Sequence, residues 1–144
     1  MKCYWEAWLK ICLGTDIVYI PRIRQAFERF GDRFMQRIYT PTEQHTYHQL
    51  QQRDGRQYRA IAYLAGRWAA KEAVVKALGT GWTGVRYTDI EIGRQPNGAP
   101  SVLLAPHIRS LTSNEAHGNE WQISLSHDTD YAIATALWTP ASLG

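Results

Sequence analysis

The sequence predicts an α+β fold, a mainly antiparallel sheet packed on one long helix with shorter helices beside it. Three observations predict it. The 144 residues suffice for one domain and not for two self-sufficient cores. Residues 57–78 form a long Ala-rich stretch with helical periodicity, stopped by Gly79-Thr80-Gly81. Strand-like runs stand on both sides of it without a repeating strand–helix–strand rhythm, which favours antiparallel pairing. Residues 1–10 read as an extension and residues 11–144 as the single domain.

In chain order, residues 10–18 alternate loosely as a strand does. Gly14 lies inside that strand, where it implies a bulge or a close backbone approach. Pro21 suits the first turn of a helix, where its missing N–H has no helical partner. Ile20, Ile23, Phe27 and Phe30 follow at helical spacing, with Arg22, Arg29 and Arg33 opposite them if the helix continues through Gly31. Thr40-Pro41-Thr42-Glu43 has the form of a helix start, with Thr40 as the cap and Glu43 three residues on.

In the long helix, Ile61, Leu64, Ala65, Trp68 and Val75 make one apolar stripe. Ala62, Gly66, Ala69, Ala70, Ala73 and Ala77 make a second face of small residues. Two such faces predict packing on both, against a sheet and against a further surface such as another subunit. Strands at 89–92 and 101–104 then flank a turn at Pro96-Asn97-Gly98. A short helix is expected within 106–117, and a last strand pair, 121–126 and 131–138, joins through Asp128-Thr129-Asp130.

With 44% hydrophobic and 12% aromatic residues the chain can bury a core, which excludes wholesale disorder. No run approaches the ~20 apolar residues of a membrane span. Glu6 and Lys10 interrupt the start where a signal peptide needs an apolar run, so a cytoplasmic protein is expected. Cys3 and Cys12 are too few for a disulfide framework or a zinc site. The net charge is only +3, but twelve of the sixteen cations are Arg, and Arg22 to Arg67 holds nine Arg, no Lys and four acids. Arg forks match carboxylates and phosphates in two-point contacts. Such a patch fits an acidic protein face, a nucleotide or a nucleic acid; a solvated face with local ion pairs is the simpler alternative.

Three residues are out of place. Glu72 falls within the apolar stripe of the long helix, where a carboxylate is costly unless it is paired or holds a metal. An ion pair with Lys76, four residues on, would also explain it. Asp16 follows Gly14 among apolar neighbours and is either a turn or capping residue or a second ligand. If the two carboxylates meet, oxygen donors with room for water suit Mg²⁺. His127 ends a strand on the same face as Trp121, Ile123 and Leu125, as a structural histidine or a functional one. Gly79-Thr80-Gly81 could approach a phosphate through backbone N–H groups, but a helix C-terminus disfavours an anion; alone it is a helix stop.

Four blocks, taken in order, resemble the holo-acyl-carrier-protein synthases, the short single-repeat class of 4′-phosphopantetheinyl transferases. They are Leu13-Gly14-Thr15-Asp16-Ile17; Ala65-Gly66-Arg67-Trp68-Ala69-Ala70-Lys71-Glu72-Ala73 running on through Lys76-Ala77-Leu78-Gly79-Thr80-Gly81; residues 89–92 with Asn97-Gly98-Ala99-Pro100; and Ser124-Leu125-Ser126-His127 with Tyr131-Ala132. The Arg-x-Ala-Ala-Lys-Glu-Ala block is the specific one. The resemblance implies the 4′-phosphopantetheinyl transferase fold. It also implies transfer of 4′-phosphopantetheine from coenzyme A to a serine of apo acyl carrier protein, with release of adenosine 3′,5′-bisphosphate, and a homotrimer with active sites between subunits. By position, Asp16 and Glu72 become Mg²⁺ ligands and Lys76 neutralises the coenzyme A diphosphate. Arg67, Gly79, Gly81, His127 and the turn Asn97, Gly98, Pro100 hold the nucleotide end. Arg22, Arg33 and Arg37 grip the acidic helix of the carrier. Cys12 stands where many members have glycine, and Asp128 where many have a neutral or basic residue.

The implied chemistry is in-line attack of the carrier serine on the β-phosphorus, a barrier made mostly of charge and positioning. Glu72 and a water on the cation are the two candidate acceptors for the serine proton. Three other readings compete: a nucleic-acid-binding module using the Arg patch with stacking aromatics, a non-catalytic carrier-binding relative, and a transferase serving polyketide or peptide synthetase carriers. The first leaves Glu72 unexplained. The presence of Asp16, Glu72 and Lys76 counts against the second, and the chain is too short for the two pseudo-repeats of the larger enzymes in the third.

Overall fold

A computed structural model describes residues 11–54, 57–110 and 120–139. The expected N-terminal extension and most of the expected 106–117 helix lie outside those residues. In chain order the elements are β1 (Cys12–Tyr19), α1 (Ile20–Phe30), α2 (Asp32–Ile38), α3 (Pro41–Asp54), α4 (Gln57–Leu78), β2 (Ile90–Arg94), β3 (Pro100–Leu104), α5 (Pro106–Arg109), β4 (Glu120–Asp128) and β5 (Tyr131–Thr139). A 3₁₀ turn, Tyr87–Asp89, leads into β2. All strand pairing is antiparallel, in two sheets rather than one: β1-β5-β4, and the hairpin β2-β3.

α4 is the centre of the molecule. Its small-residue face lies on the three-stranded sheet, and β5 answers with Ala132, Ala134 and Ala136, all buried. Small side chains on both layers let the backbones approach closely. Gly14 marks the closest point: a Cβ there would overlap the Ala73 carbonyl oxygen and sit 2.6 Å from the Ala77 nitrogen. The pairing Gly14↔Ala136 is unbroken, so the glycine serves a close approach and not a bulge. Along the other side of α4 lie α1, α3 and β2 of the same chain. The second face of α4 is therefore covered internally. The sheet's far face stays open instead, with Leu13 61%, Ile17 63% and Ile133 43% exposed.

Three local devices fix the helices and the hairpin. Gly31 adopts φ +51, which only glycine takes at little cost, and it ends α1 by donating its N–H to the Phe27 carbonyl at 2.7 Å. The helix does not continue through Gly31: α1 ends there and α2 begins at Asp32. The capping box forms as its residues predict: Thr40 N–H donates to Glu43 Oε2 at 2.9 Å, and Glu43 N–H to Thr40 Oγ1 at 3.3 Å. Glu43 is also fully buried, and its Oε1 accepts the Ile92 N–H at 2.8 Å, tying the β2-β3 hairpin to α3. The hairpin turn is closed by Gly98, at φ +87, whose N–H donates to the Gln95 carbonyl at 2.8 Å.

Candidate active site

Two consecutive residues of α4 go to different surroundings. Lys71 points into the core. Its three donors go to Glu43 Oε2 at 2.7 Å, the Ile38 carbonyl at 2.7 Å and the Tyr87 carbonyl at 3.0 Å. Burial pulls the Lys71 ammonium below its ordinary range, and the Glu43 charge opposes that. The next residue, Glu72, turns about 100° around the helix and faces a pocket of about 760 Å³.

Glu72 is not paired with Lys76. Its Oε1 accepts the Tyr87 hydroxyl at 2.6 Å and its Oε2 the Trp82 indole N–H at 3.3 Å. The Trp82 and Tyr87 rings stack with centroids 3.8 Å apart, and Trp68 packs on Tyr87 at 5.0 Å. Burial, then the bond to Glu72 and its charge, push the Tyr87 phenol well above its ordinary range, so it stays a donor. Lys76 pairs with Asp16 instead, Nζ to Oδ1 at 3.0 Å, and donates to the Thr15 carbonyl at 2.9 Å. Asp16 reaches this point because β1 runs hard against α4 at Gly14.

Asp16, Glu72 and Lys76 line one pocket together with Arg22, Arg33 and Arg37. Phe34, Ile38, Trp68 and Tyr87 supply apolar wall. Carboxylate oxygens in an open pocket, one of them held only by neutral donors, make a set that fits Mg²⁺. Among the described residues no third His, Cys, Asp or Glu joins them. The basic side chains around them suit a polyanionic ligand. The aromatic rings of the pocket wall, Phe34, Trp68 and Tyr87, pack on one another, with Trp82 stacked on Tyr87.

The other residues expected at the nucleotide end do not line the chain's own pocket. Arg67 is 7% exposed, with its guanidinium 4.0 Å over the Tyr63 ring, and burial lowers its pKa against the opposing pull of Tyr63 and Glu43. Gly79 and Gly81 form the exposed helix stop at φ +73 and +60. Asn97 and Gly98 sit in the hairpin turn, where Asn97 Oδ1 accepts the Ala99 N–H at 3.0 Å, and Pro100 opens β3 opposite Arg94. His127 is exposed at the end of β4, opposite Ala132. The residues that sequence reading passed over are Tyr87, Trp82 and Lys71. No spacing rule links the turn after α4 back to Glu72, so only the fold reveals the first two.

A family model described as the 4′-phosphopantetheinyl transferase superfamily matches residues 12–136. The chain belongs to this superfamily. Among related transferases, the holo-[acyl-carrier-protein] synthase of Gloeobacter violaceus is 50% identical over 124 residues, covering 85% of this chain and 88% of its own. The crystal structure of the synthase from Neisseria meningitidis superposes with TM-score 0.75 at 34% identity, over 88% of this chain and 95% of that one. The synthase from Bacillus anthracis, in complex with CoA (3′,5′-ADP), superposes with TM-score 0.74 at 30% identity, over 93% and 100%. The transferase fold expected from the sequence is the fold observed, an α+β arrangement with antiparallel sheets.

Proposed function

We propose that the protein transfers 4′-phosphopantetheine from coenzyme A to a serine of apo acyl carrier protein, releasing adenosine 3′,5′-bisphosphate. The observation that carries this reading is the convergence of Asp16, Glu72 and Lys76 in one pocket rimmed by Arg22, Arg33 and Arg37. Similarity to holo-[acyl-carrier-protein] synthases, one of them in complex with CoA, supports it.

Asp16 and Glu72 would hold Mg²⁺, which when bound offsets diphosphate charge and polarises its oxygens. Lys76 meets the leaving phosphate and offsets the charge that builds there as the bond to the β-phosphorus breaks. The serine oxygen forms the new bond to that phosphorus, and its proton passes to Glu72 or to a neighbouring water. Arg22, Arg33 and Arg37 stand on α1 and α2 with their side chains exposed, suited to an acidic helix of the carrier. Arg67, Gly79, Gly81, Asn97, Gly98, Pro100 and His127 serve the nucleotide end from a neighbouring subunit of a homotrimer. The apolar outer face of the β1-β5-β4 sheet, which an isolated chain leaves in water, supports an assembly of subunits. No described helix is long and apolar enough to cross a membrane, and we assign the activity to the cytoplasm.

The test is to mix the protein with coenzyme A, Mg²⁺ and an apo carrier protein. Mass spectrometry of the carrier then shows a phosphopantetheine adduct on serine, absent when the metal is omitted. Glu72→Gln keeps an acceptor for the Tyr87 hydroxyl and so keeps the fold, but lowers turnover about 10²-fold or more. Full activity of that variant would exclude the role given to Glu72.

A further inference from the structure

The two oxygens of Glu72 have unlike partners. Oε1 accepts a hydroxyl at 2.6 Å, the short distance of a charge-assisted O–H···O⁻ bond. Oε2 has only an indole N–H at 3.3 Å, beyond the usual range for that donor. The second bond is cheap to give up and the first is not.

Tyr87 is also held so that it cannot swing away. Its ring is stacked on Trp82 and packed on Trp68. Its carbonyl accepts from the fully buried Lys71. The turn that carries it is closed by Asp89, whose Oδ2 accepts the Arg86 backbone N–H at 2.8 Å and whose Oδ1 accepts from the Arg86 guanidinium at 2.9 Å. His107 stands 3.3 Å from the same carboxylate.

A carboxylate can meet a cation through one oxygen or both. Ca²⁺ is larger and often takes both oxygens of a carboxylate, whereas Mg²⁺ demands an octahedron at about 2.0–2.1 Å and keeps several waters. We propose that Tyr87 is a specificity-determining residue: by taking one lone pair of Oε1 in a short bond and fixing the tilt of the carboxylate, it disfavours two-oxygen coordination by Glu72 and so favours Mg²⁺ over Ca²⁺. Trp82 marks the oxygen that is released. The inference rests on the reading of Asp16 and Glu72 as cation ligands.

Tyr87→Phe removes one hydroxyl and keeps the ring stack. The affinities of the full-length chain for Mg²⁺ and for Ca²⁺ are measured by calorimetry in the wild type, Tyr87→Phe, Trp82→Phe and Glu72→Gln, with thermal melting to confirm that each is folded. The expected result is a shift of the Ca²⁺-to-Mg²⁺ affinity ratio by about tenfold toward Ca²⁺ in Tyr87→Phe, with a change below about twofold in Trp82→Phe. An unchanged ratio in Tyr87→Phe, with wild-type binding abolished by Glu72→Gln, overturns this inference and leaves the metal site standing. Binding that survives Glu72→Gln overturns both. Should Trp82→Phe shift the ratio as much as Tyr87→Phe, the division of labour between the two oxygens is wrong.

Discussion

Lys71 and Glu72 follow one another on α4, and the rotation between consecutive helical residues sends them to opposite surroundings. Lys71 is spent entirely inside, on Glu43 and two carbonyls. Removing its ammonium strands the Glu43 carboxylate in the core. Lys71→Met therefore costs about 3–5 kcal/mol, read from urea unfolding, and Glu43→Gln in the same chain recovers part of it. A single-variant loss below about 1 kcal/mol would refute that account. Glu72 stood out in the sequence because a carboxylate in an apolar stripe demands a reason, and the pocket supplies it. Lys71 did not stand out, since a lysine beside a glutamate on a helix passes for surface. Its burial depends on Glu43, twenty-eight residues earlier, whose capping role was readable while its second role was not. The alternative pairing of Glu72 with Lys76 failed for a similar reason: Asp16 competes for the lysine from a strand that sequence distance cannot bring near.

Among the elements, glycine does two different jobs. At Gly14 the constraint is space, because a Cβ would meet the α4 backbone. At Gly31 it is conformation, since nothing lies within 4 Å of the added carbon but φ is +51. Gly14→Ala must push β1 off α4, costing about 1–3 kcal/mol or more, and it carries Asp16 away from Lys76. Gly31→Ala pays about 1–3 kcal/mol of backbone strain and leaves β1 where it is. Melting curves and turnover measured together separate the two: only Gly14→Ala should lose activity out of proportion to stability. Equal losses would refute the close-packing role of Gly14. The long helix, the hairpin turn and the last strand pair were legible because periodicity and turn residues are local signals. The division into two sheets was not, since it depends on which strands hydrogen-bond to which across long stretches of chain.

At the scale of the whole molecule the unmatched feature is the outer face of the β1-β5-β4 sheet. Leu13 pairs with Leu137, Ile17 with Ile133 and Tyr19 with Tyr131, so apolar residues form rows across two strands. Single exposed hydrophobics need no explanation, but rows of them mark an interface. Ile133→Glu, on the central strand of that face, should break the proposed homotrimer into smaller species in sedimentation velocity and lower turnover with it. A wild-type chain that sediments as a monomer at working concentration would exclude the shared site. Subunit number itself was not readable from residues and entered only through family resemblance. The node beneath Tyr87 carries a consequence of its own. One nitrogen, Lys71 Nζ, holds the end of α2, the cap of α3 and the turn before β2. Three stretches tethered to a single atom must come loose together. The floor of the pocket therefore has no private route to disorder, and its amides should exchange with solvent only as slowly as the chain opens altogether.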